Sequence, residues 1–397
     1  MRIAFIGGFA FSPKGTIRAR AHPLAAELIR EGHDVTIFLP PYDNVEDSGR
    51  QWVQDGVHVR NLQAGSRSWT YPRVLTDLVR AVTQFQPDII HIFKPKGFAG
   101  AAGTYFLLKG KPGVVLDCDD WEGWGGWNDV KPYSWILKEY IDRQERWLMR
   151  STPVVTVASR TLQQRASDLR RTDSGVFYVP NCAGLGESQE QTRKVAQSLS
   201  PSETRRALGL PDASIILYSG HFEPGEDVGF FCRAAAPVAE RNHAAIVFVG
   251  DGPDLIKVRE FFSNHPYVKL TFLPRLAYQD FLRVIWAADV AAFPYPDNPV
   301  HHAKCSARIV DYMTMGKPVI TSAVGQNPDY IVSGESGVLV QPGNERAFAT
   351  NLELLLQDAE LRVRLGSNAM RRIREEFAWS GEPLQQCLAA YERLLSS

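Results

Sequence analysis

The feature that most constrains this chain is a repeated alternation of short apolar runs with amphipathic stretches. Arg2–Ile6 reads as a strand, Arg20–Glu31 as a helix and Asp34–Leu39 as a strand. Further strands are expected at Asp88–Phe93, Gly113–Leu116, Pro153–Val157 and Val176–Val179. These runs are apolar almost end to end, as strands covered on both faces must be. Strand–helix–strand alternation of this kind specifies a parallel, doubly wound sheet. Between Gly184 and Pro211 the pattern stops in a polar stretch rich in Ser and Gln, which reads as an interdomain connection with room for a short helix. It resumes with strands at Ser214–Ser219, Ala245–Gly250, Val268–Leu273, Val290–Pro294 and Pro318–Ser322. Helices are expected at Val228–Glu240, Asp254–Phe262, Tyr278–Ala287, Ser306–Met315 and Glu345–Gln357, then from Glu360 to Leu395 with a break at Trp379–Pro383. A length of 397 residues suits two or three domains. The expectation is an α/β protein of two doubly wound, Rossmann-like domains facing a cleft, with ligands at the carboxyl ends of the strands.

Composition removes several classes of function. Lys plus Arg and Asp plus Glu are both 44, so the net charge is zero and no basic surplus points to nucleic acid. No apolar run reaches the roughly 18 residues of a membrane span. The opening MRIAFIGGFAF is interrupted by Gly7 and Gly8 and reads as a buried first strand, not a signal peptide. The five cysteines, Cys118, Cys182, Cys232, Cys305 and Cys387, are scattered without a CxxC. That pattern points to a reducing cytoplasm, without a disulfide frame or zinc site.

Five constellations carry candidate chemistry. Gly7-Gly8 with Gly15-Thr16 follows the first strand, where glycines let backbone amides approach a phosphate or simply permit a turn. No GxGxxG dinucleotide fingerprint is present. Gly250-Asp251-Gly252-Pro253 is a second strand-to-helix turn. Asp117, Asp119 and Asp120 close a buried strand and read as a cation site, a general base or loop caps. Trp121, Trp124, Trp127 and Trp135 lie among Gly123, Gly125 and Gly126. Those indoles suit a sugar ring, a lipid interface or the protein's own core. Finally, His301-His302-Ala303-Lys304-Cys305-Ser306-Ala307-Arg308 runs into a helix on which Arg308 and Asp311 share a face, in reach of a local ion pair. Lys14, Arg18, Arg20, Lys94 and Lys96 read as a solvated basic face or as partners of an anionic acceptor such as a lipid phosphate.

As a set, these segments resemble the retaining, nucleotide-sugar-dependent glycosyltransferases of family 4, over essentially the whole chain. HPLAAELIREGHDVTIF, PDIIHIF, VVLDCDDWE and FYVPNCA carry the likeness in the first half; IILYSGHFEP, VFVGDGP, AADVAAFPY, DYMTMGKPVITS and GVLVQPGN carry it in the second. The resemblance implies the GT-B fold, with an acceptor-side domain at 1–190, a donor domain at 191–376 and a terminal helix, 377–397, packed back on the first. It implies a nucleotide-sugar donor, a glycan, lipid-linked or small-molecule acceptor, no cofactor, no essential metal and peripheral membrane contact at most. It assigns Gly15, His221, Gly250, Arg275, Ser306, Ala307 and Asp311 to the donor, and Trp121, Trp124 and Arg18 to the acceptor. Asp119, Arg308 and Lys304 become the catalytic candidates. The departures are specific. His221 and Glu226 stand where the family has an Arg and a Lys on the donor diphosphate, and Ala303 and Asp311 stand for its paired glutamates. Asp119 replaces an acceptor-side His, and Cys182 replaces a Gly. Arg308, three residues before the second acidic position, becomes the cation expected to meet the diphosphate, with Lys304 next and His221 as a weaker donor. A catalytically degenerate relative that binds nucleotide or glycan, or supports an active partner, is the competing expectation.

Overall fold

The computed structural model describes residues 1–12, 15–64, 71–223 and 225–396. It divides into two compact units. The first comprises Met1–Gly186, Ala303–Ala307 and Phe377–Ser397, and the second Glu187–His302 and Arg308–Glu376. The short excursion Ala303–Ala307 into the first unit has no counterpart in the expected boundaries.

The first unit is built on an eight-stranded sheet: β1 (Arg2–Ile6), β2 (Asp34–Leu39), β3 (Gln51–Gln54), β4 (Val57–Asn61), β5 (Ile89–Phe93), β6 (Gly113–Cys118), β7 (Val154–Val157) and β8 (Val176–Tyr178). The order is β3-β4-β2-β1-β5-β6-β7-β8, parallel except for the β3–β4 hairpin. Alternate residues feed alternate faces, as the strand period requires. Ile3 and Phe5 join Leu24, Leu28, Leu384 and Tyr391 in one core, while Ala4 and Ile6 join Leu78, Ala102, Phe106 and Leu148 in the other. The C-terminal helix Glu382–Leu395 therefore covers the same face as the helix His22–Arg30. Before that first helix the chain makes a π-helical turn at Ile17–Ala21.

The second unit holds β9 (Ile215–His221), β10 (Ala245–Asp251), β11 (Lys269–Leu273), β12 (Val290–Phe293), β13 (Val319–Ser322) and β14 (Val338–Val340). Their order is β11-β10-β9-β12-β13-β14, all parallel. Strand order reverses between β9 and β12. In open α/β sheets ligands bind at such a switch point.

The hairpin β3–β4 has no counterpart among the expected strands, because QWVQ is too polar to read as a buried strand. Its turn, Asp55-Gly56, has φ of 51° and 78° at the two central residues, the backbone that an Asp-Gly pair favours in a two-residue hairpin. The polar Gly184–Pro211 stretch, expected as a connection with room for a short helix, contains two: Glu187–Ala196 and Pro201–Ala207, the second opened by a Ser200–Glu203 capping box. Arg205 fastens that helix through the Ala287 and Ala213 carbonyls and the Asp289 carboxylate.

Candidate active site

In the second unit, the carboxyl end of β9 is shaped by two glycines. Gly250 sits at φ +135°, and a side chain there would strike the carbonyl of Gly220, its register partner on β9. A Cβ on Gly220 would in turn strike Nη1 of Arg308. The guanidinium thus lies flat against the end of the strand. Its Nη1 donates to the Ser219 carbonyl at 2.5 Å, and its plane stacks 3.8 Å from the centre of the Phe293 ring, at the end of β12. Arg308 therefore bridges the two strands that flank the switch point. Its side chain is 21% exposed, so it is fixed yet reachable.

The Glu226 carboxylate is buried beside it, 3.9 Å from Arg308 Nη2 and 3.6 Å from His301 Nε2. Arg308 begins the second-unit part of the helix Ala307–Thr314; Asp311 lies on the next turn and accepts a hydrogen bond from the Tyr278 hydroxyl at 2.8 Å. Tyr312 and the Ser219 hydroxyl share a 2.5 Å hydrogen bond beneath.

His221 and Arg275 also meet. Arg275 Nη2 lies 2.6 Å from His221 Nε2, and a guanidinium can only donate, so Nε2 accepts. The proton then sits on Nδ1, which faces Asp251 Oδ1 at 3.3 Å. Burial and the neighbouring Arg275 cation push the imidazole below its ordinary value, so it is neutral near pH 7. His221, expected as a weaker donor than Arg308 and Lys304, adds no charge there, and Arg275 is the cation at that edge.

The first unit gathers the acidic strand end of β6. Arg20 grips Asp117 with two prongs, Nε to Oδ1 at 2.7 Å and Nη2 to Oδ2 at 2.6 Å, and donates to the Val179 carbonyl. Thr156 donates to the same carboxylate at 2.6 Å. Asp117 is thereby committed to holding the sheet together, and Arg20, 1% exposed, is no surface cation. Lys94 is also buried. Its ammonium meets Asp119 at 2.8 Å, Asp120 at 2.5 Å and Glu122 at 3.1 Å, and these carboxylates raise its affinity for the proton against the opposing effect of burial. Lys96 pairs with Glu122 too. The expected basic face therefore loses Arg20 and Lys94, which are spent on carboxylates. Burial raises Asp119 against the pull of Lys94, and Thr16 donates to its other oxygen at 3.2 Å.

The tryptophan loop is only half exposed. Arg165 lies 4.1 Å from the Trp121 ring, which packs on the core, and side chains on Gly125 or Gly126 would strike that indole. Trp124 donates from Nε1 to Glu139 at 3.3 Å. Glu145, fully buried, accepts from the backbone amides of Glu122 and Gly123; in sequence it is indistinguishable from the solvated glutamates of its helix. Lys304 lies 5.5 Å from the Trp127 ring. Ala303 is buried in the first unit's core, with its carbonyl accepting from Ser159 at 2.7 Å, and Asn181 ties down Cys305. Ser306 is buried with its hydroxyl unpartnered among the described residues, Ala307 and Arg18 are half-buried, and Gly15 is exposed. Lys14 lies outside the described residues. Among the described residues all five cysteines are buried and none forms a disulfide. Among the described residues, no group of three or more His, Cys, Asp or Glu is arranged to hold a metal ion.

The structure thus brings together Gly220, Gly250 and Arg308, His221 with Arg275, and Thr16 with Asp119. Sequence reasoning missed the Arg20–Asp117 and Lys94–carboxylate networks, because nothing in a linear pattern reveals which charges will be buried together.

Comparison with known proteins supplies the context. A family model described as a glycosyl transferase 4-like domain matches residues 15–182, and one described as glycosyl transferases group 1 matches 213–358. An uncharacterized glycosyltransferase of Methanocaldococcus jannaschii is 22% identical, over 94% of this chain and 91% of its own. The fold is that of a sucrose-phosphate synthase from Thermosynechococcus elongatus, with a TM-score of 0.76, 21% identity and all of both chains covered. The Anabaena protein HepE, crystallised with UDP-glucose, superposes with a TM-score of 0.72 at 18% identity, again over both whole chains. The chain belongs to the glycosyltransferases that join a glycosyl transferase 4-like domain to a group 1 glycosyl transferase domain on the GT-B fold.

Proposed function

We propose that this enzyme transfers a sugar from a nucleoside diphosphate donor to a saccharide, lipid-linked or small-molecule acceptor with retention at the anomeric carbon. The observation that carries the reading is Arg308, held between the ends of β9 and β12 by the Ser219 carbonyl and the Phe293 ring. A diphosphate brings two to three negative charges that must be met to be buried. Arg308 offers a preorganised two-pronged partner, the amides of the helix start at Ala307–Thr314 add to the field, and Arg275 adds a second cation. The carboxylate of Asp311, oriented by Tyr278, suits the ribose hydroxyls. The bond from the anomeric carbon to the diphosphate breaks, the bond to the acceptor oxygen forms on the same face, and the acceptor's proton passes to a departing phosphate oxygen. Arg308 stabilises the charge that builds on that phosphate, which removes the need for a metal. That HepE is crystallised with UDP-glucose supports a nucleotide-sugar donor.

The test is nucleotide release from a panel of nucleotide sugars, with the product anomer assigned by NMR and the assay repeated under a chelator. Turnover that survives chelation and gives the donor's own anomeric configuration is expected; an inverted product, or rescue by manganese alone, refutes the mechanism. One observation favours a second reading. Ala303, which stands where the family has a carboxylate, is fully buried in an apolar core. A chain that binds nucleotide but turns over no sugar in that panel is the degenerate relative.

A further inference from the structure

The helix Trp135–Ser151 is apolar on two faces. Ile141, Leu148 and Met149 point inward and are buried. Outward, Trp135 is 68% exposed, Ile136 76%, Tyr140 48% and Trp147 38%. Ile136, Tyr140 and Trp147 recur at helical spacing, so they form a stripe and not a scatter. The helix Gly97–Lys109 packs beside it and adds Tyr105 and Leu108, which are also exposed. A groove of about 720 Å³ runs between the two helices. Single exposed apolar residues are ordinary; a contiguous patch of this kind marks a surface that meets an apolar partner.

The rim identifies that partner. Lys109, 6.0 Å from the Tyr105 ring, and Lys111, Arg143, Arg146 and Arg150 are all exposed. Two of these cations meet acids of the same helix, Arg143 with Glu139 and Arg146 with Asp142, while Glu145 is buried against Arg165. Lys109, Lys111 and Arg150 remain in excess, so the face is cationic on a chain whose net charge is zero. Trp and Tyr, apolar in body and polar at the edge, suit the depth of lipid headgroups. We propose that this face docks the protein peripherally on an anionic lipid bilayer, with Trp135, Ile136 and Tyr140 at the headgroup boundary and the cations on lipid phosphates. A second copy of the chain is a poorer occupant, because a two-fold contact would set these cations against their own copies. The helix lies along the surface and does not cross it: among the described residues no helix is long and apolar enough to do so.

The experiment is co-sedimentation of the full chain with vesicles of phosphatidylcholine alone and of phosphatidylcholine mixed equally with phosphatidylglycerol. Binding to the mixed vesicles, weakened by salt, is expected. Trp135→Ser with Ile136→Ser should lower that affinity roughly tenfold or more, and Arg143→Gln about fivefold. Because these side chains are exposed and belong to the first unit, whereas the proposed donor residues belong to the second, nucleotide release from a soluble donor should not change. Equal binding to both vesicle types, no binding, or variants that bind like the parent overturns the proposal. So does a dimer that the Ile136→Ser substitution dissolves in the absence of vesicles.

Discussion

In the proposed mechanism Arg308 is the residue on which the donor site turns. Removing it should cut turnover roughly a hundredfold, the scale of losing one preorganised charge donor, while Arg308→Lys recovers only part because it cannot grip two oxygens or stack on Phe293. Steady-state kinetics on folded variants checks this; an Arg308→Ala enzyme that keeps most of its rate shows that another group meets the diphosphate. Glu226 stands on the other side of that cation. Its negative charge opposes the donor in sign yet helps to fix the guanidinium, so Glu226→Gln should tighten nucleotide binding while leaving the fold intact. Asp311→Ala should weaken nucleotide binding severalfold, read by calorimetry, since it removes the acceptor that Tyr278 orients.

At the level of elements, the ends of β9 and β10 are set by backbone contact and not by side chains. Gly250→Ala requires a left-handed φ of +135° and a Cβ in the space of the Gly220 carbonyl. It should cost about 1–3 kcal/mol and displace the strand end that carries Ser219 and Gly220. Denaturant melts give the first effect, and loss of nucleotide binding beyond the stability change gives the second. The C-terminal helix is held differently. Leu384 and Tyr391 are buried against the first sheet, and the Tyr391 hydroxyl lies 2.8 Å from His91 Nδ1 on β5. Leu384→Ala should therefore cost about 2–5 kcal/mol, by lost burial and the cavity left behind.

For the molecule as a whole, the buried ionisable groups predict the shape of the pH–stability curve. Burial lowers His91 from 6.5 to about 4, so the folded protein keeps it neutral where the unfolded chain takes up a proton. The unfolded state then binds more protons below about pH 6.5, and stability falls from there towards pH 4 by ~3 kcal/mol. Burial opposes ionisation of Glu122, but Lys96 and Lys94 more than offset it and hold the group at about 2. Its contribution is full above its unfolded value of 4.5 and is lost as pH falls on towards 2. Urea melts across this range should show the first loss, and His91→Gln should flatten it; an unchanged profile in that variant would place the proton uptake elsewhere.

Much of the architecture is written in local pattern. The apolar runs at Arg2–Ile6, Asp34–Leu39 and Ala245–Gly250 are strands where their composition and length placed them, and the Tyr278–Ala287 and Glu345–Gln357 periodicities lie where those helices are. Periodicity is a property of neighbours in sequence, so it is legible there. The placement of Arg308 at the start of a helix was equally local. What tertiary structure alone decided is which charges lie inside. Arg20 and Asp117 are 97 residues apart, Lys94 and Glu122 28, and Arg308 and the Ser219 carbonyl 89. Arg20 and Lys94 in particular read in sequence as a solvated basic face or as partners of an anionic acceptor. Only the crossing of the chain at the carboxyl ends of two parallel sheets brings these pairs together. There the energy of an ion pair or a stacked guanidinium depends on distance and burial, which no linear spacing encodes.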